Sequence, residues 1–317
     1  MTQKKHKVLI IKVGYSETLD SEISNITSYG DVLRSTVLLN LYKNDHVTWL
    51  VDENALPILK GNLYIDRILI YNLTSVLQLQ AEHFDTVINL EKVPGLCALA
   101  DSINAWRRYG FRFDASTGEA EAYDRSHVAL EVCRNIEKKR NRNAFWQEGL
   151  FEMVGAQWKQ EEYILGYRPK TKQRYNIGFN HHVGNKWSLK SWPKAYWKEL
   201  EERLVKKYTI SWQEGMDDME GYFDWINSCQ LIITNDSFGM HIAIALKKKI
   251  ISLFGPTSYR ENYLYGLGKS FYPKKVACKA FPCKENKCLH FKDTCMSVVK
   301  PKTIAGEVDR ILLRSRG

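Results

Sequence analysis

The segment at residues 231–257, LIITNDSFGMHIAIALKKKIISLFGPT, contains the residue types best suited to hold an anionic ligand. A carboxylate, a hydroxyl, a glycine and a histidine stand where an apolar run gives way to a helical pattern, namely Asp236, Ser237, Gly239 and His241. The N–H groups and the positive end of such a helix favour phosphate, and the hydroxyl and imidazole add further donors. The alternative is an ordinary strand-to-helix turn in which Asp236 and Ser237 only cap the helix.

Asp31 is a second residue that could do chemistry, because it lies in SYGDVLRST at the expected start of a helix. The helix N-terminus stabilises a charged carboxylate, so Asp31 would be ready to accept a proton at neutral pH. A base of this kind is needed when a hydroxyl attacks an electrophilic carbon. The alternative is that Asp31 only caps the helix.

Two lysines, Lys186 and Lys190, lie in NHHVGNKWSLKSWP between the end of a predicted strand and the start of a predicted helix. Amines and backbone donors on such a loop can offset the charge of a diphosphate. The alternative is a pair of surface lysines beside a packing tryptophan, Trp192. A further acidic residue, Glu214, follows another predicted strand within SWQEG.

Four of the seven cysteines follow the spacing C-x4-C-x4-C-x6-C, at Cys278, Cys283, Cys288 and Cys295. In a chain expected to lie in a reducing compartment, such grouping more often indicates a metal than disulfides. Tetrahedral thiolate coordination would suit a structural zinc or iron. The spacing lacks the C-x2-C pairs of a zinc ribbon, so a metal site, reduced thiols and disulfides all stay open.

The elements that must position these residues alternate along both halves of the chain. Strand-length apolar runs are separated by helical patterns, which predicts an α/β protein with doubly wound parallel sheets. The predicted strands cover residues 7–12, 47–51, 67–71, 86–90, 175–179, 208–212, 231–234 and 250–254. A length of 317 residues fits two domains. The polar, proline-bearing segment 168–172 is typical of a linker.

The bulk composition is that of a soluble globular protein, with 44% hydrophobic and 26% charged residues. The net charge of +10 favours an acidic partner such as a nucleotide-sugar, a phosphorylated glycan or an anionic membrane surface. No nucleic-acid-binding module is recognisable, so nucleic acid is not an expected partner. Neither a secretory signal nor an apolar run of about 18 residues is present. We therefore expect a cytoplasmic protein, with peripheral contact at the inner membrane face as a further expectation.

The string D-S-F-G-M-H, followed by an apolar helix and F-G-P-T, resembles the donor-site signature of glycosyltransferase family 9, the ADP-heptose:lipopolysaccharide heptosyltransferases. The family's usual form is D-[ST]-G-x-x-H. The stretch around Asp31 resembles its G-D-x-[IL]-x-[ST] motif, and Lys190 matches the lysine of K-x-W-P. Two features depart from the family: Phe238 stands in place of a glycine, and an insertion at 13–29 separates the first strand from Gly30-Asp31.

The resemblance implies the GT-B architecture, in which two Rossmann-like doubly wound domains face a central cleft. Residues 1–167 would form an N-terminal acceptor-binding domain, and residues 168–300 a nucleotide-sugar-binding domain that carries the four-cysteine segment. Residues 301–317 would form a helix that packs back on the N-terminal domain.

The resemblance also implies inverting transfer of a sugar, heptose in the family, from an ADP-activated donor to a hydroxyl of lipopolysaccharide core, a related glycan or a protein. Asp31 would be the catalytic base. The donor site would comprise a lysine at the phosphates, a glutamate at the ribose and the loop before the helix, that is Lys186, Lys190, Glu214, Asp236, Ser237, Phe238, Gly239, Met240 and His241. In this set Ser237, Gly239 and Met240 would contribute backbone N–H groups. No D-x-D motif is present to hold a divalent ion, so we expect that catalysis requires no cofactor.

Two other functions are compatible with the same residues. A nucleotide-sugar epimerase of the same fold would convert the donor without any acceptor. A non-catalytic, metal-bearing protein that binds nucleotide-sugars would hold the donor and transfer nothing.

Overall fold

The fold is described from a computed structural model of the chain. The structure describes residues 5–15, 26–215, 218–274, 278, 280–285, 287, 288 and 295–314, and only the backbone of residues 185, 186 and 314. The chain divides into two compact units, Met1–Tyr167 and Arg168–Gly317. Each unit is a mainly parallel sheet with connecting helices, so the predicted α/β class is confirmed.

The first unit contains a six-stranded sheet in the order β3-β2-β1-β4-β5-β6. Its strands are β1 (Lys7–Ile11), β2 (His46–Val51), β3 (Arg67–Ile70), β4 (His83–Asn89), β5 (Asn104–Asp114) and β6 (Glu119–Ala122). Its helices are α1 (Tyr29–Ser35), α2 (Leu56–Leu59), α3 (Leu73–Ala81), α4 (Pro94–Ser102), α5 (His127–Arg134), α6 (Ile136–Asn141) and α7 (Trp146–Met153), with 3-10 turns at Thr36–Leu41 and Glu53–Ala55.

Strand β1 lies at the centre of this sheet, parallel to both β2 and β4. Its residues from Val8 onward are buried on both faces, which is why this strand has a continuous apolar run and no alternation. The strand order reverses between β1 and β4, and ligands of open α/β sheets bind outside the carboxyl ends of strands at such a point.

The antiparallel hairpin of β5 and β6 was not among the predicted strands. Strand β5 carries exposed or half-buried polar residues over most of its length, including Arg107, Arg108 and Arg112. These charges interrupt the apolar run that identified the other strands.

The second unit contains a five-stranded, entirely parallel sheet in the order β11-β10-β9-β7-β8. Its strands are β7 (Tyr175–Asn180), β8 (Ile210–Trp212), β9 (Cys229–Asn235), β10 (Lys249–Leu253) and β11 (Gly268–Phe271). Its helices are α8 (Lys194–Leu204), α9 (Met219–Ser228), α10 (Phe238–Ala245) and α11 (Pro301–Arg314), with 3-10 turns at Asn185–Lys190, Tyr259–Glu261 and Cys295–Val298.

The C-terminal helix α11 belongs to the second unit. Ile304, Val308 and Leu312 repeat every four residues and are buried in one cluster with Trp197 and Leu200 of α8. The expectation that this helix packs back on the N-terminal domain stays a prediction. Its apolar stripe is covered by α8, and this burial stabilises the helix where it lies.

No helix in the described part of the chain combines the length and apolarity needed to cross a bilayer.

Candidate active site

The predicted donor-site loop lies between β9 and α10 in the second unit. Asp236 follows the last residue of β9 and is 7% exposed. Its Oδ2 lies 3.0 Å from the Nζ of Lys190 and accepts a hydrogen bond of 2.6 Å from the Thr257 hydroxyl. Segments that follow β7, β9 and β10 therefore meet at one carboxylate, at the carboxyl ends of neighbouring parallel strands.

The Asp236 carboxyl is held in its charged form. Burial by itself favours the neutral acid, but the Lys190 ammonium, the Thr257 hydroxyl and the charge of His241 outweigh it. Together they lower the pKa of Asp236 from 3.8 to about 2. Asp236 is therefore a permanent hydrogen-bond acceptor at neutral pH.

Asn235, the last residue of β9, fixes the loop that carries Lys190. Its side-chain oxygen accepts the backbone N–H of Trp192 at 3.1 Å, and its side-chain nitrogen donates to the His181 carbonyl at 2.9 Å. The Trp192 indole is buried and donates to the Val299 carbonyl at 2.9 Å. Both ends of the loop between β7 and α8 are thus tied to the end of β9, which places the Lys190 ammonium beside Asp236.

A buried polar network supports the start of α10. The Asn180 amide donates to the Thr234 hydroxyl at 2.7 Å and to the Ser237 hydroxyl at 3.0 Å, and accepts from Tyr222 at 2.6 Å. Burial raises the pKa of Tyr222, so its hydroxyl stays a donor. This network explains the glycine at 239, because a Cβ there would lie 2.3 Å from the Asn180 nitrogen and from the Tyr222 oxygen.

Three residues of α10 have different surroundings. The Phe238 ring is half-buried and lies 6.2 Å, centroid to centroid, from both Tyr222 and Phe223. Met240 is fully buried and its N–H donates to the Ser237 carbonyl at 3.0 Å. The first helical turn uses that donor in this structure, and the contact of Met240 with a ligand stays a prediction. His241 is buried and contributes to the lowered pKa of Asp236.

Two other predicted donor-site residues, Glu214 and Lys186, lie on the segments that follow β8 and β7, respectively. Glu214 is exposed on the loop after β8. The side chain of Lys186 lies outside the described residues. The roles predicted for both stay predictions.

Asp31 lies in the first turn of α1, in the first unit. It is 6% exposed, and its Oδ1 is 2.9 Å from the Nη2 of Arg34, one helical turn further on. The Arg34 guanidinium is in turn stacked 3.9 Å above the Trp146 ring of α7. A fixed cation therefore accompanies the predicted base. Residues 16–25 of the insertion lie outside the described residues.

Sequence reasoning missed the buried ion pair of Lys12 and Glu91 in the first unit and the Thr257 hydroxyl at Asp236. The F-G-P-T string contains Thr257, so its position after β10 was a usable signal. Lys12 and Glu91 adjoin apolar runs and gave no signal, because charged residues next to strands are usually solvated.

The four cysteines do not assemble a metal site in the described part of the chain, where no group of three or more cysteine, histidine or acidic residues could hold an ion. Burial raises the pKa of Cys283, and burial with neighbouring cysteines raises that of Cys295 to about 11. These surroundings favour neutral thiols. Cys278 and Cys288 are half-buried and exposed, respectively. The structural zinc or iron predicted for these cysteines stays a prediction.

The chain is similar in sequence to known glycosyltransferases. Residues 215–292 match the family model "Glycosyltransferase family 9 (heptosyltransferase)". The chain is 24% identical over 339 residues to a protein named lipopolysaccharide heptosyltransferase 1 from Campylobacter coli, covering 89% of this chain and 96% of that one.

Two solved structures of Escherichia coli proteins have the same fold. The structure of ADP-heptose LPS heptosyltransferase II has a TM-score of 0.69 at 14% identity, covering 98% of this chain and 100% of that one. Heptosyltransferase WaaC with ADP-2-deoxy-2-fluoro heptose has a TM-score of 0.59 at 16% identity, with the same coverage.

The fold and the donor-loop geometry therefore define a protein of the GT-B class. The predicted resemblance to glycosyltransferase family 9 is confirmed, and the chain is a glycosyltransferase.

Proposed function

We propose that this enzyme transfers heptose, with inversion, from an ADP-activated donor to a hydroxyl of lipopolysaccharide core. The observation that carries the proposal is the contact of Lys190 with Asp236 at the start of α10. It sets a cation beside a helix N-terminus, the two features that together favour a diphosphate. The C. coli relative is named a lipopolysaccharide heptosyltransferase, and one similar structure holds an ADP-heptose analogue.

In the donor site, Lys190 and Asp236 have complementary tasks. The Lys190 ammonium has three N–H donors, so its contact with Asp236 leaves others for oxygens of the diphosphate. Asp236 stays ionised, and its carboxylate would accept hydrogen bonds from hydroxyls of the donor sugar. The leaving diphosphate gains negative charge as the sugar departs, and a lysine held in place stabilises that charge without reorganisation.

In the acceptor step, Asp31 would take the proton of the acceptor hydroxyl as that hydroxyl attacks the anomeric carbon. The Arg34 guanidinium lies 2.9 Å from the Asp31 carboxylate and holds it at the start of α1. Attack from the face opposite the nucleotide forms the new C–O bond as the bond to the diphosphate breaks. One such displacement inverts the anomeric configuration. The step as written requires no cofactor.

The acceptor is inferred from the names of the relatives, and the location from the composition and charge of the chain. A lipopolysaccharide core is the acceptor favoured by the names of the relatives, and a related glycan or a protein is the alternative. Cytoplasmic localisation and peripheral contact with an anionic membrane stay predictions from composition and charge.

The proposal is tested by mixing the purified protein with ADP-heptose and heptose-free lipopolysaccharide, and by measuring ADP release and heptosylated product. We expect product with the inverted anomeric configuration by NMR. Lys190→Met should lower the rate about 100-fold or more, whereas Lys198→Met, which removes an exposed lysine of α8, should not. Conversion of the donor without acceptor would indicate an epimerase instead. Donor binding without transfer to any acceptor would indicate a non-catalytic protein.

A further inference from the structure

The first unit contains a buried ion pair that the proposed reaction does not use. Lys12 is 2% exposed and Glu91 is fully buried, and the Lys12 Nζ lies 3.3 Å from the Glu91 Oε1. Lys12 directly follows β1, and Glu91 follows β4 by two residues. The pair therefore lies at the carboxyl ends of the two strands between which the strand order reverses.

Glu91 also holds the backbone that leaves β1. Its Oε1 accepts hydrogen bonds from the N–H of Gly14 at 2.5 Å and from the N–H of Tyr15 at 3.2 Å. The side chain of Asn89 fixes Glu91 from both sides, because its oxygen accepts the Glu91 N–H at 3.0 Å and its nitrogen donates to the Glu91 carbonyl at 3.1 Å. A charged acceptor makes stronger hydrogen bonds than a neutral one, and the Lys12 ammonium lies beside the Glu91 carboxylate as its counter-charge.

The contacts continue from Gly14 to the helix that carries Asp31. The Gly14 carbonyl accepts the Ser28 N–H at 2.7 Å, and the Ser28 carbonyl accepts the Asp31 N–H at 3.1 Å. Gly14 has a φ of +104°, and a Cβ there would meet a methyl group of Val32 at 3.0 Å. The backbone at Gly14 therefore packs directly against the first turn of α1.

We propose that Glu91, with Lys12 as its counter-charge, is a positioning residue of the transfer reaction. It fixes the backbone at Gly14 and, through Ser28, the first turn of α1 and the Asp31 carboxylate. The inference rests on the proposed function, because it takes Asp31 as the base.

The insertion between β1 and α1 explains why such a device is useful. Residues 15–27 join Gly14 to Ser28, and a longer connection leaves its two ends less restricted by the chain itself. The Gly14–Ser28 hydrogen bond closes this connection, and Glu91 holds one side of the closure. A buried ion pair adds little net stability relative to apolar residues, so a positioning role accounts for it better than a stabilising one.

A pair of double variants separates the hydrogen-bond acceptor from the charge. Lys12→Met with Glu91→Gln keeps a side-chain oxygen for the Gly14 N–H, whereas Lys12→Met with Glu91→Met removes it at similar length and volume. Neither variant leaves a buried charge. With ADP-heptose and heptose-free lipopolysaccharide, we expect kcat of the Met variant to be about 10- to 100-fold below that of the Gln variant. The KM for ADP-heptose should be the same in both. Equal kcat values would overturn the proposal.

A second pair of variants leaves the ion pair intact, in case the double variants do not fold. Ser28→Pro removes the N–H that donates to Gly14, whereas Ser28→Ala keeps it. Both variants lack the Ser28 hydroxyl, so the comparison between them isolates the backbone donor. Ser28→Pro should lower kcat about tenfold or more relative to Ser28→Ala. It should also speed amide exchange in residues 29–35. Equal kcat in this pair would likewise count against the proposal.

Asp31→Asn, measured in parallel, separates the role of Asp31 as the base from the positioning role of Glu91. If Asp31→Asn keeps wild-type activity, Asp31 is not the base, and the positioning role falls while heptose transfer stands; if the wild type itself transfers no heptose, the proposed function falls. If Asp31→Asn lowers kcat about 100-fold or more while both matched pairs have equal kcat, only the positioning role of Glu91 falls.

Discussion

Replacing Lys190 by Met should destabilise the second unit chiefly by leaving the Asp236 carboxylate buried without its counter-charge. The two groups lie 3.0 Å apart, with side chains 17% and 10% exposed. Removing one partner of a buried pair is more costly than removing both, because a lone buried charge stays behind. A cycle of Lys190→Met, Asp236→Asn and the double variant isolates this interaction.

The magnitude follows from the pKa of Asp236, which is lowered from 3.8 to about 2. At about 1.36 kcal/mol per pKa unit, the folded protein favours the carboxylate by about 2 kcal/mol. Burial opposes this preference, and Lys190 is the largest contribution in favour of it. We therefore expect a coupling free energy between Lys190 and Asp236 of about 2 kcal/mol at pH 7.

The same pKa predicts a pH dependence. Because the pKa of Asp236 is lower in the folded protein, its contribution to stability is complete above about pH 4 and is lost as pH falls toward 2. About 1 kcal/mol of it should be gone by pH 3. The stability difference between wild type and Asp236→Asn should therefore shrink over this range and stay constant between pH 5 and 8.

Amide hydrogen exchange in β9 and β10 measures the free energy of opening of the second unit, and exchange in β1 and β4 is the internal control. The variants should change the first pair of strands and leave the second pair unchanged. A coupling free energy below about 0.5 kcal/mol, or a stability difference that does not change between pH 5 and 3, would refute the reasoning.

Three further predictions concern other parts of the second unit. Gly239→Ala should destabilise the second unit by about 1–3 kcal/mol, measured by amide exchange, because the new Cβ would lie 2.3 Å from the Asn180 nitrogen. The same substitution should weaken ADP-heptose binding, and an unchanged dissociation constant would contradict that expectation. Ile304→Ala should cost about 2–5 kcal/mol of the second unit's stability without changing exchange in the first unit, since this fully buried side chain packs in the second unit's core. Faster amide exchange in the first unit alone would contradict this packing. Iodoacetamide at pH 7.5 should label exposed Cys288 well before Cys295, whose pKa of about 11 leaves almost no thiolate. Mass spectrometry that finds Cys295 labelled first would contradict the raised pKa of Cys295.

The sequence predicted most of the sheet-forming strands because buried parallel strands carry continuous apolar runs. The segment at 231–257 is the clearest case, since it contains α10, β10 and all of β9 except its first two residues, in the expected order. The β5–β6 hairpin was missed because its charges interrupt that pattern. For α11, the four-residue spacing of apolar positions predicted a helix but carried no information about which surface covers it.

The candidate site was predictable only in part for a similar reason. Residue types and the loop positions of Asp236 and Lys190 could be read from the chain, but their contact depends on how Asn235 ties neighbouring loops together. The pair of Lys12 and Glu91 depends on β1 and β4 being neighbours in the sheet. Pairings of this kind follow from strand order, and local sequence patterns do not contain it.

The most direct test of the central claim is a calorimetric titration of the purified protein with ADP-heptose, ADP, UDP-glucose and GDP-mannose, repeated on Asp236→Asn. We expect selective binding of ADP-heptose to the wild type and marked weakening in the variant, because the proposed role of the Asp236 carboxylate is to accept hydrogen bonds from the donor sugar. ADP, which lacks that sugar, should be affected much less. A preference for UDP-glucose or GDP-mannose, or equal binding of ADP-heptose by wild type and variant, would contradict the account.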